Sequence, residues 1–365
     1  MKKRIAVLGA TGSIGMSALD VLSRDKENFE IVLLSAHSKY RELLNLKTKW
    51  PRAVCVLTGE KNGQEKLLQE IKNTSPDITV NGITGAAGLE PSLASIEAGS
   101  NLALANKESI VMAGELVLRK AEEKKVNIIP VDSEHSAIFH LMKTNDKISE
   151  IILTASGGPF KDLSLQEMEN VTVEQALAHP TWKMGRKITI DSASMANKGL
   201  EIIEACILFK QHPDNINVVI HPQSIVHSMI RLCNGTLYAQ LSKPDMRHPI
   251  HDALYWPKVM PSEFEQLNFD SLTLEFYKSD PHKFPMLNLA WEAAKLKQVY
   301  PCAYNAANEE AVSAFLQQKI KFTDIAKVTA CVLEKDWTCT SMELDAVLTA
   351  DKEARLKAIR LINEI

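Results

Sequence analysis

Apolar and polar positions follow two alternating periods along the first 130 or so residues. Short apolar runs of strand length, Arg4 to Leu8, Glu30 to Ser35, Ala53 to Leu57, Asp77 to Val80, Asn101 to Ala105 and Asn127 to Val131, are separated by stretches of helical periodicity, such as that carrying Ala18, Leu19, Val21 and Leu22. Strand and helix in regular alternation predict a Rossmann-like doubly wound parallel sheet in an α/β fold.

Beyond residue 133 the regularity breaks. Glu150 to Ala155 and Lys187 to Ile190 read as strands set among loops and helices, which predicts an α+β domain to about residue 256. The stretch 257–285 holds four prolines, Pro257, Pro261, Pro281 and Pro285, and reads as a linker. From Met286 the pattern is helical, over Leu287 to Leu296, Asn305 to Gln318, Phe322 to Glu334 and Asp351 to Ile365, which predicts a C-terminal bundle over 286–365.

A length of 365 residues favours two or three domains, and 45% hydrophobic with 24% charged residues describes an ordinary globular protein. The net charge of −3 supplies no general basic field, so nucleic acid is not an expected partner and any phosphate recognition is local. Six scattered cysteines, Cys55, Cys206, Cys233, Cys302, Cys331 and Cys339, show no zinc-ligand spacing and suit a reducing compartment. The charged start Met1 to Arg4 is followed by too few apolar residues for a signal peptide, and no run reaches a membrane span, so a bacterial-type cytoplasm is expected.

Against this background the strand ends carry the candidate chemistry. Gly9-Ala10-Thr11-Gly12-Ser13-Ile14-Gly15 joins the first strand to the first helix, where glycines admit a pyrophosphate and the helix terminus favours its charge. The spacing is G-x-x-G-x-x-G, and dinucleotide binding is the reading favoured by its strand–turn–helix setting. Past the second strand, where a cofactor lacking a 2′-phosphate would meet an acid, stands Ala36-His37-Ser38-Lys39-Tyr40-Arg41, which points to NADP rather than NAD.

Val131-Asp132-Ser133-Glu134-His135 sets two carboxylates at a strand end, where open α/β sheets collect ligands. They fit a hard cation, and equally Asp132 or Ser133 fits a helix cap. Gly82 to Gly88 adds a second small-residue turn, and Asn106-Lys107-Glu108-Ser109 offers an amide, an ammonium and a carboxylate; Lys107 suits a substrate oxygen, or else the solvated first turn of a helix.

Further on, Ser156-Gly157-Gly158-Pro159-Phe160 can present backbone donors or hinge a loop. Ala178-His179-Pro180-Thr181-Trp182-Lys183-Met184-Gly185-Arg186 has the composition of a mobile cover, or of a loop tucking Trp182 into the core. Ser192, Asn197 and Lys198 form a donor set for a phosphate monoester, and Glu201 lies one helical turn past Lys198; Glu201 and Glu204 otherwise read as helix surface. His221, His227, His248 and His251 lack paired-ligand spacing and read as structural.

Taken in order, the glycine loop, Ala105-Asn106-Lys107-Glu108-Ser109, Pro130 to His135, Ser156 to Phe160, His179-Pro180 with Met184 to Lys187, Asn197 to Glu201, His221-Pro222-Gln223-Ser224 and Asn305-Ala306-Ala307-Asn308-Glu309 resemble the 1-deoxy-D-xylulose 5-phosphate reductoisomerase family over nearly the whole chain. The resemblance implies a homodimer that rearranges that phosphorylated sugar and reduces the product to 2-C-methyl-D-erythritol 4-phosphate in isoprenoid precursor biosynthesis, with NADPH and Mg²⁺, Mn²⁺ or Co²⁺. It implies Asp132, Glu134 and Glu201 as metal ligands, and Ser156, Ser192, Asn197 and Lys198, with His179 nearby, at the substrate phosphate. Ser133 and Lys107 would meet the substrate oxygens, with Lys107, Glu134 and His179 catalytic. Thr11, Gly12, Ser13, Ile14, Asn106, Glu108 and Gly185 would contact the cofactor, and Trp182 with Met184 would form a lid over about 156–186. One departure stands out: His37-Ser38-Lys39 replaces the family's usual Gly-Lys-Asn run after Ala36.

Overall fold

The structure is a computed structural model that describes residues 2–144, 147–182, 184–339 and 341–365. Lys183, within the expected cover segment, lies outside the described residues. The chain divides into two units, one from Met1–Ser109, Val117–Ser136 and Asp245–Glu265, the other from Ile110–Leu116, Ala137–Pro244 and Gln266–Ile365.

In chain order the elements are β1 (Lys3–Leu8), α1 (Ser13–Arg24), β2 (Phe29–Ala36), α2 (Tyr40–Lys49), β3 (Val54–Leu57), α3 (Gly63–Thr74), β4 (Ile78–Asn81), α4 (Leu89–Glu97), β5 (Asn101–Leu104), α5 (Lys107–Lys124), β6 (Ile128–Pro130) and α6 (Ser133–Leu141). There follow β7 (Ile148–Ala155), α7 (Leu165–Met168), α8 (Val173–Leu177), α9 (Arg186–Ala193), α10 (Ala196–Leu208), β8 (Ile216–Ile220), β9 (Val226–Leu232) and β10 (Leu237–Leu241). The last are α11 (Arg247–Tyr255), β11 (Tyr277–Lys278), α12 (Pro285–Leu296), α13 (Tyr300–Leu316), α14 (Asp324–Leu333) and α15 (Leu344–Glu364).

The first unit holds a six-stranded sheet in the order β3-β2-β1-β4-β5-β6, parallel throughout. This is the doubly wound order, with its crossover reversal between β1 and β4, the place where such sheets bind dinucleotides beyond the strand ends. Ile5, Ala6, Val7 and Leu8 are wholly buried, as strands covered on both faces require. Helix α1 buries Gly15, Ala18, Leu19, Val21 and Leu22, the face its periodicity marks out. Helix α11, remote in sequence, is tied to α1 where Arg247 Nη1 meets Asp20 at 3.2 Å. Tyr255 Oη adds a hydrogen bond to Asp25.

The second unit contains a mixed sheet, β10-β9-β7-β8-β11, with β7 and β8 parallel and the other pairs antiparallel. Beside it stand α9, α10 and the C-terminal helices α12 to α15. The α/β, α+β and helical parts all appear, but Lys187–Ile190, read from sequence as a strand, is the first half of α9. Its β-branched residues mislead because burial decides: Thr189, Ile190, Asp191 and Ala193 are buried, and Lys187 pairs with Asp191 at 3.0 Å one turn on. Among the described residues no helix is long and apolar enough to cross a membrane.

Candidate active site

Gly9 follows β1 with φ +71°, and a Cβ there would lie 2.7 Å from the Gly82 carbonyl oxygen, so only glycine allows both the turn and the close approach of the two loops. Gly12 caps α1 without a side-chain hydrogen bond, and no acid occupies the first turn. The leading amides of α1 therefore lie next to a turn whose Thr11 and Ile14 are half-buried and whose Gly12 and Ser13 are exposed, a suitable seat for a pyrophosphate. At the end of β2, His37, Ser38 and Lys39 are exposed, and His37 Nδ1 lies 3.2 Å from Thr58 Oγ1.

Asn106 caps α5 by accepting from the Ser109 amide at 3.1 Å. Its Nδ2 donates to the carbonyls of Ile83 and Gly85, at 2.8 and 2.9 Å, and to Glu108 Oε2 at 2.9 Å. The buried amide thereby stitches the β4 loop to the start of α5, a structural task the sequence did not disclose. Lys107 is no solvated lysine: it is 5% exposed, and its Nζ donates to Asp132 Oδ2 at 2.8 Å. Burial pushes the Asp132 carboxyl up, but the Lys107 ammonium and the His135 ring outweigh it and hold the group well below the usual carboxylate range. Asp132 is thus an ionised oxygen donor rather than a mere cap. Beside it, Ser133 Oγ donates to Glu134 Oε2 at 2.5 Å.

In the second unit β7 delivers Ser156 to a site shared with α9. His179 Nδ1 accepts from the backbone amides of Thr181 and Trp182 at 3.1 and 2.9 Å. That pattern assigns the proton to Nε2, which lies 3.0 Å from Ser156 Oγ and 3.1 Å from Ser192 Oγ. Burial lowers the His179 pKa. The imidazole links two serines from separate elements and fixes the start of the Trp182 segment, which ends at the exposed Gly185 that caps α9.

Next along, α10 gathers the rest of the donor set. Glu201 is wholly buried, yet receives Asn197 Nδ2 at 2.5 Å and the ammonium of the buried Lys198. Glu201 and Glu204 are therefore interior carboxylates, not helix surface. Reasoning from sequence also missed Asn308, whose Nδ2 donates to the buried Asp191 at 2.8 Å next to Ser192. The Asn305–Glu309 run on α13 was the only trace of it. His221 is structural as expected, accepting from the amides of Ile225 and Val226 at 3.1 Å and facing the Glu275 carbonyl at 2.8 Å.

The donors suit the groups the fold calls for. The ionised carboxylate of Asp132 and the buried carboxylate of Glu201 beside the Lys198 ammonium offer hard oxygen ligands, and an acid-free, basic β2–α2 loop suits a phosphorylated ribose. A doubly wound sheet with such a glycine turn and such strand-end groups defines an NADP-dependent oxidoreductase.

Comparison with known proteins makes this specific. Models of 1-deoxy-D-xylulose 5-phosphate reductoisomerase match residues 5–75 and 58–114, the C-terminal domain of that enzyme matches 128–209, and the DXP reductoisomerase C-terminal domain matches 241–357. The enzyme of that name from Treponema denticola is 46% identical, with 99% of this chain and 97% of the relative covered; that from Endomicrobium trichonymphae is 45% identical over the full length of both. The Zymomonas mobilis enzyme, solved with NADPH, superposes with a TM-score of 0.90 at 39% identity over all of both chains. A DOX-P reductoisomerase solved with NADPH, fosmidomycin and magnesium gives 0.91 at 38% identity, covering 99% and 98%. The chain belongs to the 1-deoxy-D-xylulose 5-phosphate reductoisomerase family.

Proposed function

We propose that this chain converts 1-deoxy-D-xylulose 5-phosphate to 2-C-methyl-D-erythritol 4-phosphate through Asp132, Glu134 and Glu201 as ligands of one divalent cation, Mg²⁺ or Mn²⁺ with Co²⁺ as an alternative. The observation that carries the assignment is the charge state of Asp132, kept anionic in a half-buried position by Lys107 and His135. When bound, the cation supplies Lewis acidity toward the two oxygens of the hydroxy-ketone and NADPH supplies the reducing equivalents.

The chain's own residues do the rest. Lys107 and Ser133 orient the substrate oxygens, with Glu134 beside them. Ser156, Ser192, Asn197 and Lys198 hold the phosphate, and His179 couples the two serines to the Trp182–Met184 lid. Gripping the phosphate far from the reacting carbons lets binding energy close the lid, exclude water and fix the reactants, an effect of roughly 7–11 kcal/mol in well-oriented systems. Thr11, Gly12, Ser13, Ile14, Asn106, Glu108 and Gly185 form the NADPH site, Asn106 by holding its loops.

In this reading 1–132 binds NADPH, 133–256 carries the chemistry and 286–365 braces it beyond the 257–285 linker. The enzyme works as a homodimer in the cytoplasm. The test is loss of NADPH absorbance on adding the substrate, with and without chelator. Turnover that stops with EDTA and returns with Mg²⁺ or Mn²⁺ is expected, together with a D132N variant that binds NADPH normally but does not turn over. Chelator-resistant activity, or near-normal turnover in D132N, overturns the assignment.

A further inference from the structure

At the amino ends of β1 and β2 lies a cavity of about 310 Å³ lined in part by Lys2, Lys26, Lys49, Arg52, Glu30 and Trp50. It opens at the opposite end of β1 from the glycine turn, and the six residues of that strand set the two roughly 20 Å apart. Its charge is lopsided. Four cations line it against the one carboxylate of Glu30. That carboxylate is met by Arg52 at 3.1 Å, an exposed pair of little net worth.

The three ammonium groups have no ion-pair partner among the described residues. Lys2 Nζ donates to the Lys26 carbonyl at 2.6 Å, and Lys26 Nζ stands 5.1 Å from the centre of the Trp50 ring. Helices α1 and α2 end here, and their C-terminal dipoles offset about half a charge each, which leaves a clear positive excess. Like charges gathered over an apolar wall of Phe29 and Trp50 repel one another, and an anion entering the cavity relieves that repulsion.

We propose that this cavity is a second anion site, separate from the catalytic one, and that it takes a di- or triphosphate group. A single negative charge would leave most of the cations unanswered, whereas a polyphosphate presents several anionic oxygens within the span of the lysines. The volume falls at the small end of ligand sites, enough for such a group, free or carried by a nucleotide.

The test is calorimetric titration of the full-length protein, saturated with NADPH, with pyrophosphate and tripolyphosphate at matched ionic strength. A saturable event weakened about tenfold or more in the double variant K49Q/R52Q is expected, with reductase activity, melting temperature and any binding at the Ser156–Lys198 phosphate site unchanged. A W50F variant should keep the heat of binding while losing any accompanying change in tryptophan emission. Titration with ATP identifies the source: tighter binding than tripolyphosphate points to a nucleotide, equal binding to the free anion, and either supports the site. Absence of saturable binding at millimolar polyphosphate, or binding undiminished in K49Q/R52Q, overturns it.

Discussion

Lys107 and Asp132, 25 residues apart in sequence, meet at 2.8 Å because each stands just beyond the carboxyl end of one of two neighbouring parallel strands, β5 and β6. The sheet turns a sequence separation into an ion pair, and burial makes the pair consequential. Replacing Lys107 with Met leaves the half-buried Asp132 carboxylate without its ammonium partner, which should cost less than the roughly 3–5 kcal/mol of breaking a fully buried pair, whereas K107M/D132N removes both charges and should cost less again. Denaturation of the two variants in chelator checks this, and K107M no less stable than the double variant refutes it. Both should lose turnover while binding NADPH.

Much of the first unit was legible because its signals are local. Apolar runs, glycine turns and the acids after β6 can each be read from a few adjacent residues. Helix α9 was not, since Lys-Ile-Thr-Ile has strand propensity and only its buried face reveals the helix. The β9–β10 hairpin was overlooked although Asn234-Gly235 marks its turn, with Gly235 at φ +88°. Contacts such as Asn308 to Asp191, 117 residues apart, leave no periodic trace at all. What remained hidden was therefore the support that buried contacts such as Asn106 to the β4 loop and Asn308 to Asp191 supply.

His179 should make stability depend on pH in a definite direction. Its folded pKa lies below the ordinary value near 6.5, so the unfolded chain takes up a proton first as pH falls. Stability from this group is complete above about pH 6.5 and declines as pH drops toward the folded pKa. The H179A variant should lose less stability than the parent between about pH 7.5 and 5.5, and its KM for substrate should rise as Ser156 and Ser192 lose their bridge. Identical pH profiles would remove His179 from this role.

The loop after β2 sets cofactor choice if Lys39 meets the 2′-phosphate. A K39A variant should then bind NADPH more weakly by about 1.5 kcal/mol or more, roughly tenfold, with NADH affinity unchanged. Fluorescence titration with the two dinucleotides checks it. Equal losses for both would assign Lys39 a general electrostatic effect instead.

Gly199 lies between Lys198 and Glu201 on α10 for a steric reason. A Cβ there would collide with the hydroxyl of the fully buried Tyr304 and lie 2.9 Å from Ala290 Cβ, so α10 can approach α12 and α13 only through glycine. Tyr304 cannot readily retreat, because its hydroxyl also donates to the Met286 carbonyl at 3.2 Å. Overpacking of this kind costs about 1–3 kcal/mol, and relief by shifting α10 would displace Asn197, Lys198 and Glu201 together. G199A should therefore lower the melting temperature and raise KM for the phosphorylated substrate while leaving NADPH affinity intact. Pairing it with Y304F separates the two effects: removing the hydroxyl should recover part of the stability and of KM in G199A/Y304F. A double variant no better than G199A alone would place the strain elsewhere on the helix.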